Sequence, residues 1–215
     1  MKKFETIIFD CDGVLINSEI IANRIEVEVK NELGFPISLN EQLTQFVGLG
    51  MSHPLVIEEL KRLPADYLEI VETRVHAAYQ KDLKPIAGVV ETLKQIELPM
   101  CIASSSETDS LQFKLELTGL KPFFKNFLFT GTMVKNCKPA PDLYLLALEK
   151  MNWDPKSCLV IEDSLAGVTS AKAAGLYTCG FVGGEHLLPG HADQLKKLGA
   201  DHIVTQFEEI LKLLN

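Results

Sequence analysis

The segment Ile7-Ile8-Phe9-Asp10-Cys11-Asp12-Gly13-Val14-Leu15 decides how the rest of the chain is read. Three apolar residues run straight into two aspartates separated by a single residue. A short apolar run bounded by turn-forming residues reads as a buried strand. Asp10 then stands at its carboxyl end, where open α/β sheets place their ligands. Two carboxylates beside a dry core are costly unless a cation or a reaction needs them. A surface turn is the alternative, since Asp and Gly are favoured turn residues.

Composition narrows the function classes. The 215 residues are 47% hydrophobic and 23% charged, with a net charge of −8. That balance gives enough chain for a proper core in one or two domains. It argues against a nucleic-acid or anionic-membrane surface, and no basic run contradicts this. No apolar stretch approaches a membrane span, and the run after Met1-Lys2-Lys3 stops at Asp10, unlike a secretory signal. The five cysteines are scattered without a Cys-x-x-Cys pair. Cys11, Cys101, Cys158 and Cys179 lie in or beside strand-like runs, where a free thiol acts as a small hydrophobe. A reducing cytoplasm is the expected location. No arginine follows a cysteine at the spacing of a Cys-x5-Arg loop, so cysteine chemistry is not expected.

Outward from the opening strand, Asn17 or Ser18 can cap a helix to about Leu33, with Ile21, Ile25, Val29 and Leu33 every fourth residue and Gly34 as the stop. Ser38 and Glu41 form a capping box for a short helix ending near Phe46. Ser52 can cap another to about Leu63, and a fourth spans about Ala65–Asp82. Residues 17–84 therefore read as all helical. From Pro85 the texture changes to alternation: helix Gly88–Ile96, strand 99–103, helix to Leu117, strand Phe127–Thr130, helix Pro141–Met151, strand Cys158–Ile161, a helix capped by Ser164 and closed at Gly175, and strands at Thr178–Val182 and His202–Val204. Alternating strands and helices imply a doubly wound, Rossmann-like parallel-sheet core. The expected organisation is a discontinuous core, 1–16 with 85–215, carrying a small all-helical cap at 17–84. The loop Gly183-Gly184-Glu185-His186 reads as a connection.

A parallel sheet brings all its strand ends to one edge. Those ends carry Asp10 and Asp12, then Ser104-Ser105-Ser106, then Glu162-Asp163, with Lys138 between the last two in Lys-Pro-Ala-Pro-Asp. Each has a bland reading alone: serines as a helix cap, Lys138 as a solvated loop lysine, Glu162-Asp163-Ser164 as an acidic first turn. Their coincidence at strand ends, in this order, points to a site. Phosphoryl transfer uses such a set, because positioning and charge neutralisation carry most of its work. Mg²⁺ takes oxygen ligands from one or two carboxylates, water and the substrate phosphate. Asp10 can attack phosphorus, and Asp12 can give and take a proton. Lys138 and the serines can hold phosphoryl oxygens, and Glu162 and Asp163 can keep the cation opposite Asp10.

Asp10-Cys11-Asp12-Gly13-Val14-Leu15, Ser104, Lys138 with Pro139 and Pro141, and Glu162-Asp163-Ser164 resemble the four motifs of the haloacid dehalogenase-like hydrolase superfamily. The resemblance spans the whole chain and is nearest to the β-phosphoglucomutase-like branch with a helical cap. It implies Asp10 as the nucleophile that becomes a phosphoaspartate and Asp12 as general acid/base. It further implies Mg²⁺ on the Asp10 carboxylate, the Asp12 carbonyl and Asp163, with Glu162 assisting. Ser104, the Ser105 amide and Lys138 would grip the phosphoryl group. Dehalogenases of this superfamily generally lack the second aspartate, so Asp12 favours phosphate chemistry. The mutase of this branch carries a cap His and a cap-loop Arg; the matching positions here are Ala22 and about Met51. Hydrolysis is therefore expected over isomerisation.

The resemblance also extends to bacterial phosphatases of phosphorylated sugars and sugar acids such as 6-phosphogluconate. Substrate choice is expected from the cap loop 48–53. His53 reads as a first-turn surface residue of a helix rather than a ligand, and His76, His186, His191 and His202 show no metal-ligand spacing and are assigned no role. The expected partner is a small phosphorylated metabolite, neither nucleic acid nor membrane, with the chain a monomer or weak dimer. Two alternatives stay open. One is a phosphomutase; the other is a module that merely accepts phosphate on aspartate or binds a ligand. A receiver usually carries its acceptor on the third strand and has no such helical insertion.

Overall fold

The computed structural model describes residues 3–48 and 53–214. Strand β1 (Thr6–Phe9) is wholly buried. Because side chains alternate across a strand, Ile7 and Phe9 join the larger apolar cluster, with Ile102, Leu159 and Phe207. Ile8 faces the other cluster, with Ala103, Tyr144 and Val160. A strand covered on both faces needs an unbroken apolar run, which explains why Ile-Ile-Phe is followed by polar residues only where the strand ends.

Four helices follow: α1 (Ser18–Glu32), α2 (Leu39–Phe46), α3 (Pro54–Arg62) and α4 (Tyr67–Asp82). They enclose a small cluster of their own, built on Val29, Leu63 and Tyr67 with Ile25 and Leu33 packed against it. The Ser38–Glu41 capping box forms as expected. Asn17, however, does not cap α1 with its side chain. Its Oδ1 accepts the Lys84 amide at 2.8 Å and its own amide donates to the Lys84 carbonyl, stitching together the two chain passages beside the cap. Ser52, expected to cap α3, lies outside the described residues; the His53 side chain accepts the Leu55 amide there.

The remainder alternates: α5 (Val89–Leu93), β2 (Met100–Ser104), α6 (Thr108–Leu117), α7 (Lys121–Phe124), β3 (Leu128–Thr130), α8 (Asp142–Met151), β4 (Cys158–Glu162), α9 (Leu165–Ala173), β5 (Tyr177–Phe181), α10 (His191–Lys197), β6 (His202–Val204) and α11 (Leu211–Leu214). The short α7, α10 and α11 are additions to the elements expected from periodicity, being at most two turns of helix. All six strands are parallel, in the order β3-β2-β1-β4-β5-β6. Strand order reverses between β1 and β4, the switch point at which open α/β sheets form their crevice. The core is thus the expected doubly wound, Rossmann-like sheet, with the helical cap inserted after β1. No described helix is long and apolar enough to cross a membrane.

Candidate active site

Asp10 follows β1 directly, and its amide donates to the Ile161 carbonyl, which locks it to β4. Lys138 reaches into the same place. Its Nζ lies 2.6 Å from Asp10 Oδ1, 2.6 Å from Glu162 Oε1 and 2.8 Å from the Ala103 carbonyl, so one ammonium ties the ends of β1, β2 and β4 together. Glu162 has no exposed surface. Tyr144 donates to its Oε1, while its Oε2 accepts the amides of Asp163 and Ser164 and the Ser164 hydroxyl. Both oxygens of Glu162 are therefore taken, and it braces the site more than it faces it.

Asp10, Glu162 and Asp163 each offer an oxygen within 4.8 Å of one another. Lys138 pairs directly with Asp10 and Glu162 but not with Asp163, so among the described residues three buried carboxylates face one ammonium, an imbalance that a divalent cation corrects. Burial pushes the Asp10 carboxyl well up; Lys138 opposes that, and Glu162, Asp163 and Asp12 add to it. Burial raises Asp163 as well, with Glu162 adding and Lys138 opposing. A buried, all-oxygen carboxylate set that is costly to ionise together fits a hard divalent cation.

Two residues on, Asp12 meets different surroundings. Its Oδ1 accepts Ser18 Oγ and Lys114 Nζ, both at 2.6 Å, and its Oδ2 accepts Ser106 Oγ at 2.8 Å and Ser104 Oγ at 3.4 Å. Burial alone would raise this carboxyl; the Lys114 charge and the bonds from Lys114, Ser18 and Ser106 outweigh it and set it at about 2. Asp12 is thus held charged. Ser104 and Lys138 reach the same strand end, whereas the Ser105 side chain turns to Cys137 Sγ and leaves only its backbone for the site.

Lys114 had no place in the sequence reading, His186 and His191 had no role in it, Ser18 was expected only as a helix cap, and Ser106, expected with its neighbours to hold phosphoryl oxygens, bonds Asp12 instead. Lys114 had a signal: it sits between Leu111 and Leu115 on the buried face of α6, a position where lysine rarely goes unpaired. The histidines had none, because Asp163 is 23 residues from His186 and 28 from His191. His186 Nε2 lies 2.8 Å from Asp163 Oδ2, and His191 Nε2 donates to the Asp163 carbonyl at 2.5 Å. Glu19, in the first turn of α1, faces the same space. Burial, with Asp12 adding, pushes its carboxyl up to about 7, His186 opposing. Of the cap loop, residues 49–52, including Met51, lie outside the described residues.

Residues 4–175 match the haloacid dehalogenase-like hydrolase family. The 6-phosphogluconate phosphatase of Escherichia coli (strain K12) is 28% identical over 193 residues, 88% of this chain and 87% of that protein. The phosphorylated carbohydrates phosphatase of Thermotoga maritima is 33% identical over 183 residues, 80% of this chain and 82% of that protein. A crystal structure of a hydrolase of this family from Deinococcus radiodurans R1, with bound phosphate and sodium, superposes with a TM-score of 0.85 at 32% identity, covering 100% of this chain and 96% of that one. The chain belongs to the haloacid dehalogenase-like hydrolases, on the branch of phosphoric monoester hydrolases.

Proposed function

We propose that this protein is a Mg²⁺-dependent phosphatase of a small phosphorylated metabolite, a sugar phosphate or sugar-acid phosphate, working through a phosphoaspartate on Asp10. The observation that carries the reading is the buried carboxylate cluster of Asp10, Glu162 and Asp163, of which Lys138 pairs directly with the first two. The Asp10 and Asp163 side chains with the Asp12 carbonyl would hold the cation, and Glu162 would stand behind them. When bound, Mg²⁺ supplies positive charge to the transferring phosphoryl oxygens. The names of the related phosphatases and the phosphate in the Deinococcus structure support the same class.

In the first half-reaction an Asp10 carboxylate oxygen bonds to phosphorus as the bond to the leaving oxygen breaks, and Asp12 gives that oxygen a proton. In the second, Asp12 takes a proton from water, the water oxygen bonds to phosphorus, and the bond to Asp10 breaks to release inorganic phosphate. Lys138, Ser104 and the Ser105 amide orient the phosphoryl oxygens through both. Asp12 is held charged before substrate binds, so it must first take a proton from water, with Lys114 or Ser18 loosened from Oδ1, before it gives that proton to the leaving oxygen. Ala22, where the mutase of this branch would carry His, supports hydrolysis over isomerisation. The helices of 17–84 act as the cap that excludes bulk water, and five free thiols suit a reducing cytoplasm.

Phosphate release from a panel of sugar phosphates, sugar-acid phosphates, phosphoglycolate and nucleotides tests this, with Mg²⁺ and with chelator. Metal-dependent release establishes the class, and the rate ranking names the substrate. Isomerised hexose phosphate without release would instead establish a mutase.

A further inference from the structure

The loop that leaves β5 does more than connect it to α10. His186 is almost fully buried, and its ring fills a slot made by two backbones. A Cβ on Gly184 would lie 2.5 Å from His186 Cε1 and 3.2 Å from the Gly13 carbonyl oxygen. A Cβ on Gly13, whose φ is +80°, would lie 2.7 Å from His186 Cε1 and 2.1 Å from Asp163 Oδ2. The imidazole therefore fits only because both neighbours are glycine, one in the loop after β5 and one in the turn after Asp12. From that slot Nε2 meets Asp163 Oδ2 at 2.8 Å, and to the ionised carboxylate that a cation ligand must be, the imidazole donates. His191, the first residue of α10, donates its own Nε2–H to the Asp163 carbonyl. The Asp163 amide is already committed to Glu162 Oε2. Amide, carbonyl and one carboxylate oxygen are thus all fixed from three directions, and among the described residues no other side chain bonds the Asp163 carboxylate.

We propose that His186 and His191 are positioning residues, a two-point clamp that aims the remaining Asp163 carboxylate oxygen at the cation beside Asp10. The inference rests on the cation reading above and adds to it the residues that make Asp163 a ligand of fixed orientation. A carboxylate ligand free to rotate loses affinity to conformational entropy, and groups that orient metal ligands typically contribute about 10- to 100-fold in affinity. Lys114 holds Asp12 through a full charge. The clamp holds Asp163 through hydrogen bonds from imidazole.

Mn²⁺ binding to the chelator-stripped full chain, read by electron paramagnetic resonance, tests the clamp without turnover. Wild type, D163N, H186L, H191L and H186Q are compared, with melting curves in chelator for each. The expected result is saturable binding by wild type, its loss in D163N, a weakening of about 10- to 100-fold in H186L, a smaller weakening in H191L, and recovery in H186Q, whose amide reaches where Nε2 stood. Should H186L not fold, H186Q against the shorter H186N carries the test: the clamp requires Gln near wild type and Asn at least about tenfold weaker, and equal affinities overturn it. Binding lost in D163N but unchanged in folded H186L overturns the clamp while leaving the cation reading intact. No binding by wild type, or binding that D163N retains, overturns both.

Discussion

Asp10 and Asp12 are two residues apart, carry the same functional group and are both enclosed, yet they sit in opposite electrostatic surroundings. Around Asp10 the nearest charges are Glu162, Asp163 and one shared lysine, and burial drives its carboxyl up. Around Asp12 every near partner is a donor, and the carboxyl falls to about 2. One half of the site needs charge from outside; the other is already satisfied by the protein. A cation site and a proton-transfer site can therefore share a strand end, because the chain turns after Asp10 and carries Asp12 to a separate set of donors, Ser18, Ser106 and Lys114.

The contrast breaks most readily at the nucleophile. Asp10→Asn should abolish phosphate release, by at least about a thousandfold, while the chelated protein keeps or gains melting temperature because one of the crowded carboxylates is gone. A measurable residual turnover near wild type would mean that another group attacks phosphorus.

Next in size is Lys138→Met. Leaving Asp10 and Glu162 without their shared ammonium should cost about 3–5 kcal/mol, the range for orphaning one side of a buried pair. Saturating Mg²⁺ should recover part of it. Denaturant unfolding with and without the cation reads both numbers.

Lys114→Met should cost less, about 1–3 kcal/mol, since Asp12 keeps Ser18 and Ser106 and its side chain retains some solvent contact. A loss equal to that of Lys138→Met would erase the distinction between the halves.

The two halves should also answer pH in opposite senses. Asp12 lies below its ordinary value of 3.8. The stability it contributes is complete above that value and disappears as pH falls through about 2. Asp10 and Asp163 lie above 3.8, so in the window from 3.8 up to their folded values the native state binds more protons than the unfolded chain. There, chelated protein should become more stable as pH falls, and added Mg²⁺ should flatten or reverse the slope. Unfolding free energies measured across mild acid, with Mg²⁺ and with chelator, check the sign; identical slopes would place no cation at Asp10.

The smallest effect belongs to Ser106→Ala. It removes one donor from Asp12 Oδ2 and one acceptor from Lys114 Nζ, and should cost about 1 kcal/mol with a small upward movement of the Asp12 carboxyl.

Much of this was legible in the chain. Ile7–Phe9 announced a strand buried on both faces, and Asp10, Ser104, Glu162 and Asp163 each sit at a strand end or just beyond one, where a parallel sheet must gather them, with Lys138 reaching in from the loop before α8. The cap's helices followed from fourfold apolar spacing and the Ser38–Glu41 box. Asn17 and Ser18 looked like helix caps and turned out to bond Lys84 and Asp12 instead, because the passage into the cap supplied nearer partners than the helix's own amides.

The sequence by itself determined the sheet, the edge at which the site lies and the residue types gathered there, because strand periodicity and parallel connection are local rules that propagate. Only the tertiary structure decided the partners. Lys114 belongs to Asp12 and Lys138 to Asp10 because α6 follows β2 and the Lys138 loop returns between β2 and β4. His186 and His191 belong to Asp163 because β5 lies next to β4 in the sheet. Side-chain pairing across tens of residues is set by strand order and loop path, and no spacing rule within the chain encodes either.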